Sequence, residues 1–182
     1  MTRPLVLLDV DGVLNPYGAS RRQVDQHLMP LPYYVRRILG YRVFLSKAHG
    51  PMLTAFAAEH GAELVWATTW EHNANTRIGP VIGLPVLPVI EFGGHPGTVK
   101  GWKFPAVAKY AAGRPLVWFD DDFEVQEKAR ILSDWGLARG DRPTLLHHVS
   151  PQVGLTEADL TVAGEWLRAL PVPTTESGAN HA

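Results

Sequence analysis

The stretch Leu5-Val6-Leu7-Leu8-Asp9-Val10-Asp11-Gly12-Val13-Leu14-Asn15 limits what this chain can fold into more than any other. An unbroken run of leucine and valine suits a strand covered on both faces, as in parallel sheets. The run stops at two aspartates one residue apart. Gly12 follows, and it permits a tight turn where the backbone must approach a ligand closely. The stretch therefore reads as a buried central strand that delivers two carboxylates to an active site. The competing reading is a strand end turning into solvent, and the rest of the chain decides between them.

Downstream, strand-like and helix-like patterns alternate. Residues 15 to 50 are broken by Pro16, Gly18, Pro30, Pro32 and Gly40. They are expected to hold a short helix at Tyr33–Leu39 and a short strand at Tyr41–Leu45 that pairs with Val13 and Leu14. Pro51 to His60 reads as a helix with Gly61 as its stop, carrying Leu53, Phe56 and Ala57 as an apolar stripe. Residues 62 to 69 read as a strand ending in hydroxyls. A helix broken by Pro80 is expected from Trp70 to Gly83, then a short strand from Pro85 to Ile90 and a loop at Gly93 to Gly97. Pro105 to Ala112 is helical, and Leu116 to Phe119 is a strand running into Asp120-Asp121-Asp122. A helix from Glu124 to Leu137 is expected to bury Val125, Ala129 and Leu132. Thr144 to Val149 is the last strand. Thr156 to Asp159 has the form of a capping box opening a helix to Leu170.

This alternation predicts an α/β fold, a three-layer doubly wound parallel sheet with a small flap inserted at residues 15–50. One domain is expected over residues 1–170, with a disordered tail at 171–182, where Pro, Thr, Ser, Gly and Asn dominate. The chain's 182 residues suffice for a single core, and a net charge of -1 gives no overall pull toward nucleic acid or membrane. With no cysteine, disulfides and thiolate zinc sites are excluded. Met1-Thr2-Arg3-Pro4 leads into a run that meets Asp9 at once, so no signal peptide is expected. The longest other apolar run, Val81 to Ile90, is too short to span a bilayer. A cytoplasmic protein without a membrane partner or an obligate protein partner is the expectation.

In a parallel sheet, ligands bind beyond the carboxyl ends of the strands. Three strands here end in chemistry: Asp9 and Asp11, then Thr68 and Thr69, then Asp120, Asp121 and Asp122. Lys100 and Lys103 precede the helix before the last of these. Carboxylates gathered at one edge repel, and at least one pKa must rise unless a cation joins them. Mg²⁺ takes oxygen ligands and keeps several waters, so it answers that need. A nucleophilic carboxylate, a second carboxyl, Mg²⁺, a lysine and a hydroxyl together suit phosphoryl transfer.

These motifs resemble the haloacid dehalogenase (HAD) superfamily of phosphohydrolases, in its capless form. Asp9-Val10-Asp11-Gly12-Val13 matches the first motif, Thr68 the second, Lys103 or Lys100 the third, and Asp120 and Asp121 the fourth. Trp66-x-Thr68-x-Trp70 and Trp102-Lys103 resemble most closely the branch predicted to act in RNA repair. The resemblance implies that Asp9 forms an aspartyl-phosphate. Asp11 then protonates the leaving oxygen and activates water, Thr68 binds the phosphoryl group, and Lys103 offsets charge. Asp9, Asp120 and Asp121 would hold Mg²⁺ with the backbone carbonyl of Asp11. Thr69, Lys100, Arg36 and Arg37 are further candidates for binding substrate.

Both gaps that could hold a cap are short. An open site suits a large phosphorylated substrate, a nucleotide or a nucleic-acid end. Two other readings are a receiver-like, phospho-accepting signalling domain and a catalytically silent nucleic-acid-binding module on the same fold. His147 and His148 are adjacent on a strand and point to opposite faces, which speaks against a shared metal. The Gly93 to Lys100 loop lacks the Gly-Lys-Ser/Thr ending of a P-loop.

Overall fold

The computed structural model of the chain describes residues 3–94, 101–124 and 127–171. In chain order the elements are β1 (Leu5–Leu8), α1 (Arg21–Asp25), β2 (Tyr34–Ile38), β3 (Tyr41–Leu45), α2 (His49–Glu59) and β4 (Glu63–Trp66). A π-helical turn (Ala74–Ile78) runs into α3 (Gly79–Ile82). Then come α4 (Phe104–Ala111), β5 (Leu116–Asp120), α5 (Lys128–Arg139), β6 (Thr144–His148) and α6 (Glu157–Arg168).

Four strands form one parallel sheet in the order β4-β1-β5-β6. β1 lies between two neighbours, as its apolar run demands, and all four of its residues are buried. Side chains alternate across the sheet. Val6, Leu8, Trp66, Val117 and Phe119 face one layer, packed with Leu53, Phe56 and Ala57 of α2 and Leu160, Ala163 and Leu167 of α6. Leu5, Leu7, Val65, Leu116 and Trp118 face the other, packed with Phe104, Val107 and Ala111 of α4 and Ile131 and Trp135 of α5. The architecture is the expected three-layer α/β/α arrangement. Among the described residues, no helix is long and apolar enough to cross a membrane.

Several expectations hold in detail. Thr156 caps α6 by accepting from the Asp159 amide, and the Asp159 carboxylate in turn accepts from the Thr156 amide at 2.8 Å. The helix after Trp70 is broken where expected, with Pro80 in the first turn of α3.

Others need correction. Tyr33–Leu39 is not helical: Tyr34–Ile38 is a strand, and it pairs antiparallel with Tyr41–Leu45. The turn between them is Leu39-Gly40, with φ of +51° and +84°. Both central residues are left-handed, as a two-residue hairpin turn of this hand requires, but leucine in place of the usual asparagine concealed it. Val13 and Leu14 therefore do not pair with β3. Their amides donate to the Val10 carbonyl, and their side chains enter the core.

Pro85–Ile90 makes one isolated bridge, Trp66 with Val89, and no named strand. Pro85 and Pro88 lack the amide a ladder needs. In α5, Ala129 and Leu132 are exposed; Ile131 and Trp135, four residues apart, form the buried stripe instead. Val125, the 95–97 part of the expected loop and the expected tail from 172 onward lie outside the described residues.

Candidate active site

Strand alternation and register build the site. Leu5 and Leu7 face α4 and α5, so Asp9, two residues beyond Leu7, continues on that side. On β5, Leu116 and Trp118 face the same layer, so Asp120 does too. β1 and β5 pair in register with Leu8 opposite Phe119, and the Asp9 amide donates to the Phe119 carbonyl at 3.2 Å. The next step of the ladder brings Asp9 beside Asp120.

Lys103 immediately precedes α4, the helix covering this face, and its side chain reaches both acids. Its ammonium donates to Asp9 Oδ2 and, at 2.8 Å, to Asp120 Oδ2. The three groups are 6%, 5% and 1% exposed for Asp9, Lys103 and Asp120. A buried carboxylate without such a partner costs several kcal/mol, on the order of 3–5 when one member of a pair is removed. The cluster therefore helps to fix the strand register that creates it.

The second half of the site lies on the loop after β1. Gly12 has a φ of +77°, and a Cβ there would stand 2.2 Å from Asp121 Cγ. Gly12 is thus the gap through which the Asp121 carboxylate approaches the loop. Asp121 Oδ2 also accepts from the Tyr17 hydroxyl at 2.7 Å. Asp11 is held from both sides: Oδ1 accepts from Asn15 Nδ2 at 2.7 Å, and Oδ2 from the Trp70 indole at 2.9 Å. Asn15 is itself buried, and its Oδ1 accepts from the Phe44 amide of β3 at 2.8 Å. Thr68 is fully buried just beyond β4, and its hydroxyl accepts from the Trp70 amide at 3.3 Å.

The electrostatics bear out the crowding expected from sequence. Burial disfavours the Lys103 ammonium, but Asp120 and Asp9 together outweigh burial and hold its pKa above the ordinary value. Burial pushes the Asp120 carboxyl up, against the pull of Lys103, with Asp9 and Asp122 adding to the rise. Asp121 is pushed up to about 6, first by burial and then by Asp9 and Asp122, while the Tyr17 hydrogen bond opposes the rise. Tyr17 is raised in turn by burial and by Asp121, so its phenol stays a donor. One ammonium does not balance these acids.

Asp9, Asp120 and Asp121 each offer a carboxylate oxygen within 4.8 Å of the others. An all-oxygen set of hard anionic donors fits Mg²⁺ and excludes metals that need nitrogen or sulfur. Asp122 is exposed, and its amide donates to Asp120 Oδ1 at 3.1 Å. It braces the site from outside.

Beside Asp11 opens a cleft of about 540 Å³. The hairpin contributes Leu39, Tyr41 and Arg42, and the segment after β4 contributes Thr69, Trp70 and Asn73. Arg36 and Arg37 are not among its lining residues. Arg36 lies over the Tyr34 ring, and Arg37 pairs across the hairpin with Arg42. Lys100 lies outside the described residues. Among the described residues, Lys103 is the lysine joined to Asp9.

Sequence reading missed Asn15 and Tyr17 as site residues and took Trp70 only as motif context. Asn15 ends the opening stretch, and its polar side chain after two buried residues was the available signal. Tyr17 carried no comparable signal. His147 and His148 diverge as expected, one to Asp159 Oδ1 at 2.8 Å and the other to the Asp121 carbonyl at 3.1 Å.

A parallel sheet whose central strand ends in Asp9-x-Asp11, with a helix-borne lysine and paired acids on the neighbouring strand, defines a HAD-type phosphohydrolase domain. The chain belongs to the family described as the HAD domain in Swiss Army Knife RNA repair proteins, whose model matches residues 5–160. A search of curated proteins returned no match. The family assignment displaces the receiver-like reading.

Proposed function

We propose that this chain is a Mg²⁺-dependent phosphohydrolase working through an aspartyl-phosphate on Asp9, on a phosphate carried by a nucleotide or a nucleic-acid end. The family's name links its members to RNA repair, and an RNA end is the form of that substrate we favour. The observation that carries the reading is the Lys103 ammonium shared between Asp9 and Asp120, with Asp121 close by. That arrangement sets a cation against the buried Asp9 carboxyl and supplies positive charge where a phosphoryl group would arrive.

In the first step an Asp9 carboxylate oxygen attacks phosphorus and the bond to the leaving oxygen breaks. Asp11, as the carboxylic acid, gives its proton to that oxygen. Asp11 then takes a proton from water, the water oxygen attacks phosphorus, and the bond to Asp9 breaks, releasing inorganic phosphate. The buried Thr68 hydroxyl and the Lys103 ammonium hold the transferred group. Mg²⁺ would be held by Asp9, Asp120, Asp121 and the Asp11 carbonyl, and it would stabilise charge on the phosphoryl oxygens.

Asp9→Asn preserves shape and removes the nucleophile. It should abolish turnover of p-nitrophenyl phosphate while the circular dichroism spectrum stays native. Undiminished turnover would contradict the reading. If the unaltered chain binds phosphorylated oligonucleotides but hydrolyses neither 5′- nor 3′-phosphates, the silent nucleic-acid-binding module is favoured instead.

A further inference from the structure

The cleft beside Asp11 is where the leaving group must lie if Asp11 protonates it, and a role for the cleft in holding that group rests on the proposed function. Its lining is unlike the phosphoryl site. Tyr41 is 69% exposed and Leu39 54% exposed, both at the hairpin tip. Trp70, Thr69 and Asn73 line the same cleft from the segment after β4. Arg42 supplies the cationic group among these lining residues.

Leu39 is the informative residue. It adopts a left-handed backbone conformation, φ +51°, which disfavours any residue with a Cβ other than asparagine or aspartate. A hairpin turn of this kind asks for Asn or Gly. The half-exposed leucine side chain recovers little by burial in return. Backbone strain kept at a cleft edge without a folding gain points to function. Leu39 and Tyr41 together present apolar and aromatic surface on the hairpin side, and Trp70 presents aromatic surface on the other. Thr69 and Asn73 add a hydroxyl and an amide that can hydrogen-bond the edge of a ring.

We propose that this cleft is a nucleobase subsite and that the hairpin tip selects a nucleotide leaving group. The base stacks on Tyr41 and Trp70 and rests against Leu39, while Arg42 meets an adjacent backbone phosphate. Stacking of this kind tolerates any base, because each has a π-face. A bare sugar phosphate would leave the aromatic surface unused.

The test compares the full chain in Mg²⁺ with its Tyr41→Ala and Leu39→Asn variants. The substrates are adenosine 3′- and 5′-monophosphate, glycerol 2-phosphate and a phosphotyrosine peptide. The unaltered chain should favour a nucleotide over glycerol phosphate in kcat/KM. Tyr41→Ala should lower that preference about tenfold or more, mainly through KM, as the loss of one base–aromatic stack does. Leu39→Asn should lower the preference while raising the melting temperature, because it relieves strain and removes a substrate contact.

A preference unchanged within about twofold in Tyr41→Ala, where a lost stack changes it by far more, overturns the proposal. So does a phosphopeptide preferred over both nucleotides. Calorimetric titration of adenosine monophosphate into Asp9→Asn, with and without Tyr41→Ala, reads the subsite without turnover. Weaker binding on loss of Tyr41 supports the subsite even if the Asp9 mechanism fails, and equal binding overturns it even if that mechanism stands.

Discussion

At the scale of single residues, Asp11 depends on its neighbours for direction. Asn15 gives it one hydrogen bond and ties it to the hairpin, because the same amide accepts from the Phe44 backbone. A backbone N–H can only donate, so Oδ1 faces Phe44 and Nδ2 faces Asp11. Asn15→Asp keeps the acceptor for Phe44 and sets a second carboxylate against Asp11. It should cut kcat on the order of a hundredfold, as misplacing a catalytic group by 1 Å does, with a much smaller change in KM and an altered pH–rate profile. A loss seen only in thermal stability would reduce Asn15 to a structural role.

Asp9 and Asp120 were legible in sequence because each ends an apolar strand, and period-two alternation assigns both to one face. Asn15 and Tyr17 were hidden. Their partners lie on other elements, and no local pattern announces a hydrogen bond from residue 17 to residue 121.

At the scale of elements, long apolar strands and well-stopped helices read cleanly, and the short inserted hairpin did not. Tyr34, Val35 and Ile38 favour a strand, but Leu39-Gly40 lacks the Asn-Gly signature of the turn it makes. Register likewise decides which hairpin arginine meets the cleft. Antiparallel pairing sets Arg36 opposite Val43 and Arg37 opposite Arg42, and of the three arginines Arg42 lines the cleft. In α5 the choice of buried stripe was off by one position, since Ala129, Leu132 and Ile131, Trp135 fit equally periodic patterns. The aromatic packing of Trp135 on Phe104 and Trp118, with ring centroids 5.3 and 5.7 Å apart, decides it.

At the scale of the whole molecule, one of the links between the flank of the hairpin and the body runs through a buried histidine. His49, at the start of α2, is fully buried, with Nε2 3.1 Å from the Leu155 carbonyl and 3.5 Å from the Tyr33 hydroxyl. Tyr33 also donates to the Val153 carbonyl at 3.3 Å. Burial lowers the His49 pKa from 6.5 to about 4, against the pull of the Leu155 carbonyl. The folded chain therefore refuses a proton that the unfolded chain accepts between those values.

Stability is whole above pH 6.5 and falls as pH drops toward 4, by as much as about 3 kcal/mol. Urea denaturation across that window should show the fall in the unaltered chain and a shallower one in His49→Gln. Identical slopes would show that His49 does not set this pH dependence.

In the proposed mechanism Asp9 carries the phosphoryl group and Asp11 moves the protons. Nitrophenolate leaves without protonation, so Asp11→Asn should still be phosphorylated by p-nitrophenyl phosphate and then stall, lacking the base that activates water. Rapid quenching in Mg²⁺ followed by peptide mass spectrometry reads this directly. A nitrophenolate burst of about one equivalent is expected, with a phosphoryl mass gain on the peptide containing Asp9. Steady turnover without a covalent adduct, or an adduct on any other residue, would contradict it.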